Sequence, residues 1–236
     1  MKKSAAQYAP RPVRGPALCA VVMLGIAGVA WALRAVWQVR LAVAGVPASG
    51  LPDQGEGRHR PLTALENSYH VVSAVGDVAT LFCAAFFIMW LWQVRDNART
   101  LSGHPPRYLG IWVYAGWIVP IVNLWFPRGI VADAFRGSAP DRPLPRSVNV
   151  WWALWLIGML TDLGLNYSGS TDAMIARAYS NVSTLLVADL AVVGAAIAAI
   201  VMVRTLTALQ LERFATDLRT PSGDPLKESV GAFDQD

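Results

Sequence analysis

Five apolar stretches divide the chain, with polar segments between them. They cover residues 17–39, 71–94, 108–126, 148–166 and 178–203. A helix needs about 20 mostly apolar residues to cross the hydrocarbon core of a bilayer, and these stretches approach or exceed that length. The pattern therefore predicts an all-α integral membrane protein.

The third stretch, 108–126, departs from the pattern of a regular span. Pro120 removes a backbone donor and crowds the preceding turn, so a helix is expected to kink or break there. Asn123 follows it, and Pro127 ends the stretch. Broken backbone at membrane depth is tolerated where protein surrounds it, and we expect the Asn123 amide to satisfy the exposed backbone groups. These three residues form a candidate helix-break and polar site.

The distribution of basic residues decides between two topologies, because cytoplasmic segments carry an excess of Lys and Arg. If all five stretches cross the membrane from a cytoplasmic N-terminus, the inner segments hold 8 basic residues and the outer ones 11. If 108–126 enters and leaves on the cytoplasmic side, the counts become 15 and 4. The second count predicts four transmembrane helices, a re-entrant or interfacial segment, and cytoplasmic N- and C-termini. An ordinary kinked span is the alternative.

The segment after Pro127 predicts a further helix. Its apolar residues recur at helical spacing on one face, and they are Ile130, Val131, Ala134 and Phe135. This pattern is typical of a short amphipathic helix on the membrane surface.

Three segments follow from this organisation. Residues 1–16 form a basic cytoplasmic N-terminus, and 17–211 form a polytopic membrane domain. Residues 212–236 form a cytoplasmic tail that we expect to be largely disordered, because its end is polar and rich in acidic residues and proline. Within the membrane domain, Ala191, Ala195 and Ala199 recur every four residues, which favours close helix packing in lipid.

Composition agrees with a membrane protein. The chain is 54% hydrophobic and only 15% charged, whereas soluble domains carry about 25% charged residues. Its net charge of +4 comes from basic residues that flank apolar runs. The expected partner is therefore the lipid bilayer and not nucleic acid. Another membrane protein or a second copy of the chain stays open as a further partner. Cys19 and Cys83 both lie inside apolar runs, which excludes a secreted disulfide framework.

Four ionisable residues interrupt the apolar runs: Arg34, Asp77, Asp162 and Asp189. Charges in the membrane are costly and usually face a bundle interior or water. Counted along the helical rise from each cytoplasmic end, all four lie about 21–25 Å deep. We therefore predict an intramembrane charge cluster in which Arg34 pairs with Asp77 or Asp189. The alternative is that some of them extend to the interface.

No motif predicts catalysis, a cofactor or a metal. The histidines are scattered, and no nucleophile elbow, phosphate-binding loop or zinc spacing occurs. Glu66 and His70 are helix neighbours that we interpret as a solvated interfacial pair. The sequence therefore favours a protein that is not an enzyme.

Four blocks carry a family resemblance: FFIMWLWQVRDNARTL, GWIVPIVNLWFPRGIVADAF, WWALWL and TLTALQ. Over about 71–211 the chain resembles the actinobacterial membrane family catalogued as domain of unknown function 4328, and the second block is the most specific. The resemblance implies a polytopic membrane protein, with no activity or cofactor to carry over.

Two functions stay open at this point. The first is a non-catalytic interaction or regulatory component of the bacterial cell envelope, located in the cell membrane. The second is a small proton- or cation-coupled carrier that uses the intramembrane acidic residues. A carrier would ordinarily need more spans or a symmetric dimer, and no internal repeat of the kind that inverted-topology carriers show is found in this sequence. The first function is therefore favoured.

Overall fold

The structure is a computed structural model that describes residues 11–163 and 170–219. The side chains of residues 162–163 and 217–219 lie outside the described part. Within the described residues the chain forms seven α-helices and no named β-strand. The fold is therefore all-α, as the sequence predicts.

The first two helices are longer than the apolar runs that predict them. Helix α1 spans Arg14–Ala44 and α2 spans Ala64–Ser102. Thr63 caps α2 with a capping box, in which its side chain accepts the backbone N–H of Glu66 and the Glu66 carboxylate accepts that of Thr63. Gly103 ends α2 in the left-handed conformation, with φ +67°, which glycine adopts without a Cβ penalty.

The chain that follows α2 is broken at Pro120. Helix α3 spans Trp112–Ile118, a 3-10 turn covers Ile121–Leu124, and α4 spans Phe126–Ser138. Pro127 lies in the first turn of α4, where its missing N–H would have no intrahelical partner anyway. The predicted break and the short helix after Pro127 are both present.

The apolar face of α4 contacts protein. Ile130, Val131, Ala134 and Phe135 are all at most 3% exposed, and α4 packs mainly against α2. Gly137 makes this approach close, because a Cβ there would lie 3.2 Å from the Cβ and carbonyl oxygen of Ala98. The expected burial of this face in the membrane surface is therefore replaced by burial inside the bundle.

The last three helices are α5 (Arg146–Leu163), α6 (Thr171–Ser180) and α7 (Val182–Arg219). The predicted fifth apolar stretch, 178–203, thus includes a helix boundary at Asn181. Helix α7 continues well past the apolar run and includes the first part of the segment 212–236, whose remainder from residue 220 lies outside the described residues.

Helices α1, α2, α5 and α7 form the bundle. Helix α1 packs between α2 and α7, and α7 packs between α1 and α5. Small residues bring these helices together: Ala191, Ala195 and Ala199 are buried, and a Cβ on Gly28 would lie 3.4 Å from Ala196. The sequence prediction of close packing along α7 is confirmed.

The bundle has two ends. At one end, which we call the Asn97 end, the N-terminal segment meets α2, and α4 contacts the start of α5. At the other end, the Glu66 end, α2 begins and α6 lies against it. Among the described residues three helices, α1, α2 and α7, are long and apolar enough to cross a membrane.

Candidate functional site

A cavity of about 380 Å³ lies in the bundle and is the candidate functional site. It borders α1, α2, α5 and α7, together with Trp117 of α3. Helices α2 and α5 approach each other mainly through Phe87 and Trp151, whose ring centroids lie 5.5 Å apart. Helix α4 contacts both of them, and Trp117 of α3 contacts Phe87 and Trp155. The cavity lies beside these contacts, since Phe87, Trp117, Trp151 and Trp155 all line it.

Five aromatic side chains contribute to the lining: Trp31, Phe87, Trp117, Trp151 and Trp155. Trp117 meets Trp155 edge-on, with 5.7 Å between ring centroids, and Phe87 edge-on at 5.9 Å. The two charged residues of the lining are Arg34 and Asp189. The site is thus an apolar, aromatic chamber with one ion pair in its wall.

Arg34 and Asp189 form that ion pair between α1 and α7. Nη2 of Arg34 lies 2.6 Å from Oδ1 of Asp189, and Nε donates to the same oxygen at 2.9 Å. The side chains are 11% and 1% exposed. The guanidinium also lies over the Trp31 ring, 4.1 Å from its centroid. Opposite charge, hydrogen bonds and an aromatic face together compensate for removing both groups from water.

The other two members of the predicted charge cluster are placed differently. Asp77 lies on an exposed face of α2 and does not line the cavity. The side chain of Asp162 lies outside the described residues. The structure thus brings together Arg34 and Asp189, from helices far apart in the chain, and places Asp77 on another surface.

After the helix break at Pro120, the backbone receives a hydrogen bond from a side chain that the sequence did not predict. The indole Nε1 of Trp152 donates to the carbonyl oxygen of Leu124 at 3.2 Å. The Asn123 side chain, which we expected to serve the backbone, instead donates to the sulfur of Met159 at 3.5 Å. The expectation was wrong: the Asn123 side chain makes no hydrogen bond to the backbone among the described residues, and the backbone contact comes from a tryptophan of α5. Nothing in the sequence near Pro120 signals that partner.

A buried polar network closes the Asn97 end. Asn97 accepts the backbone N–H of Arg11 at 2.9 Å and donates to the Arg11 carbonyl at 3.1 Å. It also donates to Gln210 of α7, which donates in turn to Ser138 of α4 at 2.8 Å. Asn97, Ser138 and Gln210 are at most 1% exposed. This network ties the N-terminal segment, α2, α4 and α7 together.

A second cluster of polar side chains connects α2, α6 and the loop before α2 at the Glu66 end. The guanidinium of Arg60 donates to both carboxylate oxygens of Glu66 at 2.8 Å, and the Tyr179 hydroxyl donates to Glu66 at 3.1 Å. Glu66 is fully buried, so the predicted solvated pair with His70 is wrong. Sequence reasoning missed Arg60 because it lies in a loop and Tyr179 because it is 113 residues away.

These contacts shift the pKa values of Glu66, Arg60 and Tyr179. The bidentate hydrogen bonds from Arg60 lower the pKa of Glu66 to about 2. The same contact raises the pKa of Arg60. Burial, reinforced by the Glu66 carboxylate, raises the pKa of Tyr179 to about 12. All three groups therefore keep one protonation state across physiological pH, which suits a structural clamp.

The chain belongs to the family described as Domain of unknown function (DUF4328). The family model matches residues 62–208, which include the helix break, α5, Asp77 and Asp189. Comparison with curated proteins and with solved structures gives no match.

Proposed function

We propose that this chain is a four-span protein of the bacterial cell membrane with both termini in the cytoplasm. Support comes from the Asn97 end, where the segment between α2 and α5 both starts and finishes. Within that segment, Asn123 contacts Met159, which lies about 20 Å along α5 from Arg146 at the helical rise. The segment thus extends deep beside the bundle and returns, as a re-entrant segment would.

We further propose a non-catalytic role, as an interaction or regulatory component of the cell envelope. The observation that carries this proposal is the Arg34–Asp189 pair. A coupling carboxylate must exchange its proton or cation with water, whereas the Asp189 side chain is 1% exposed and bound by Arg34 at 2.6 Å. An ion pair of this geometry joins two helices and disfavours the carrier alternative.

Outward-facing apolar residues of α1 supply a surface for lipid or for a membrane partner. They recur at helical spacing and include Val22, Ile26, Val29 and Leu33, each 45–61% exposed. A regulatory component would use part of such a surface to contact another membrane protein.

A flux assay separates the two functions. The full chain in liposomes is expected to show no proton flux above protein-free liposomes, measured with a pH-sensitive dye under an imposed potential, and no potassium flux, measured with a potassium-sensitive dye. Flux that Asp189→Asn abolishes would contradict the non-catalytic role and establish the carrier.

Crosslinking tests for a partner. A photo-crosslinking amino acid at Val29, 61% exposed, is expected to give a discrete protein adduct in native membranes, while the same probe at Ala30, 6% exposed, gives none. Adducts with lipid alone from Val29 and from equivalent exposed positions on α2 and α7 would contradict the interaction role.

A further inference from the structure

We infer that the central cavity binds a neutral lipid whose head is a flat ring bearing carbonyl groups, of the quinone type. The inference rests on the proposed function in one respect, since the proposed topology places the cavity inside the bilayer. It deepens that function by naming the chemical class of ligand that a regulatory membrane component would sense.

The volume and lining fit a ring. Small-molecule sites are usually concave and apolar, with volumes of about 300–1,000 Å³, and this cavity has about 380 Å³. Aromatic side chains from four helices line it. Aromatic faces and edges pack favourably against a flat ring in stacked or edge-on geometry, and a saturated chain gains none of that additional energy.

Two N–H donors of residues that line the cavity favour a ligand with hydrogen-bond acceptors. Arg34 uses Nε and Nη2 for Asp189, and its Nη1 donates to no group among the described residues. The indole Nε1 of Trp117 is buried and likewise has no hydrogen-bond partner in the described part of the chain. Both groups are donors only. For the Trp117 Nε1, which is fully buried, the missing partner is costly. Carbonyl oxygens on a ligand would satisfy them.

The opposite charges of Arg34 and Asp189 favour a neutral ligand. Asp189 already compensates the charge of Arg34 at 2.6 Å. An anionic head would therefore bring an uncompensated charge into a low-dielectric site, which is expensive. A cationic head would meet the guanidinium, because the Asp189 side chain is 1% exposed. A neutral carbonyl accepts a hydrogen bond without either cost.

The cavity is reached from the side of the bundle. Thr80 and Ala84 of α2 both line it and are exposed. Ala85, the next residue of α2, is exposed but is not part of the lining. A lipid could therefore enter past Ala84, and this pair of neighbouring alanines provides a matched test.

The experiment uses the full chain in nanodiscs and isothermal titration calorimetry. The probe is 2,3-dimethyl-1,4-naphthoquinone, whose methyl groups occupy the ring positions that thiols such as Cys83 attack most readily. The control probe, 2,3-dimethylnaphthalene, has the same ring system without carbonyls. The proteins are the wild type, Ala84→Trp, Ala85→Trp and Trp117→Phe, each checked for an unchanged melting temperature.

We expect the wild type and Ala85→Trp to bind the quinone equally, and Ala84→Trp to bind it at least about tenfold more weakly. Trp117→Phe keeps an aromatic ring and loses the indole donor together with part of the ring area, so its affinity should fall at least about three- to tenfold, the effect of one hydrogen bond. The naphthalene should bind the wild type at least about tenfold more weakly than the quinone.

Two results would overturn the inference. Equal binding of the two probes would show that the carbonyl groups are not recognised. Equal quinone binding by Ala84→Trp and the wild type would place the probe elsewhere in the nanodisc. Ion flux through liposomes, by contrast, would contradict the proposed function and leave a specific quinone site standing, so the two failures are distinguishable.

Discussion

At the scale of single residues, the Arg34–Asp189 pair is the contact whose loss we expect to cost most. Arg34→Ala leaves the Asp189 carboxylate, 1% exposed, without its guanidinium partner. Removing one member of a buried pair costs about 3–5 kcal/mol. We expect a clear drop in melting temperature and in the yield of monodisperse protein in detergent.

A second substitution tests the cause of that loss. Asp189→Asn added to Arg34→Ala removes the buried charge and should restore part of the stability. Arg40→Ala is the control, because Arg40 lies on the same helix and is exposed, and such surface changes usually stay within about 0.5 kcal/mol. A double variant no more stable than Arg34→Ala would show that the ion pair is not what the single substitution disrupts.

The lowered pKa of Glu66 predicts that the protein loses stability in acid. Its pKa is about 2 in the folded protein against an ordinary value of 4.5. A group with a lowered folded pKa contributes its full stabilisation above the unfolded pKa and loses it as the pH falls toward the folded one. The melting temperature of the wild type should therefore fall more steeply between about pH 5 and pH 2 than that of Glu66→Gln.

The matched control for this pH dependence is Glu56→Gln. Glu56 also pairs with an arginine, but its side chain is 84% exposed, and exposed pairs contribute little. This variant should keep the steep acid loss of the wild type. If Glu66→Gln keeps it as well, the acid sensitivity comes from other carboxyl groups.

Residue-level prediction from the sequence succeeds only in part where a residue is out of place by itself. Arg34 and Asp189 interrupt apolar runs, and they form a buried pair. Asp77 also interrupts an apolar run but lies on an exposed face of α2, because the interruption alone does not tell which face of the helix the charge lies on. Arg60 and Gln210 carry no such signal, because a loop arginine and a glutamine beyond an apolar run are ordinary. Their roles depend on Glu66 and Asn97, which become neighbours only when the helices pack.

At the scale of elements, the close approach of α4 to α2 depends on Gly137. A Cβ at this position would lie 3.2 Å from both the Cβ and the backbone oxygen of Ala98. Gly137→Val should therefore push the two helices apart and destabilise the protein by about 1–3 kcal/mol, as overpacking does. The measurement is thermal unfolding in detergent.

Gly25→Val is the matched control for that change. It places the same side chain in a helix, and a Cβ at Gly25 meets nothing within 4 Å. Only a small change in melting temperature is expected. Equal destabilisation by the two variants would mean that glycine matters at Gly137 for helix flexibility and not for the approach to Ala98.

The elements themselves were largely predictable, because proline and apolar length act locally. Pro120 breaks the helix wherever the segment lies, so the boundary follows from the sequence. The partner of α4 does not follow, since an amphipathic face fits a lipid surface and a protein surface equally well. The boundary at Asn181 was also missed, because the apolar run continues across it.

At the scale of the whole molecule, charge distribution and packing support the same topology independently. The basic residues favour a segment 108–126 that returns to its starting side. The packing places the end of α2 and the start of α5 at the Asn97 end, next to the N-terminal segment. The two observations are independent, because the distribution of basic residues is read from the sequence alone and the packing from the structure.

Cysteine labelling tests that topology directly in a background with Cys19→Ala and Cys83→Ala. Ser102→Cys and Asp141→Cys should react only after the membrane is permeabilised, while Ser49→Cys and Ser170→Cys should react with an impermeant maleimide in intact cells. Asp141 reports on the segment after α4 because it is exposed, whereas nearby Ser138 is fully buried and would label poorly on either side. If Asp141→Cys labels in intact cells while Ser102→Cys does not, the segment between them crosses the membrane and the re-entrant topology is wrong.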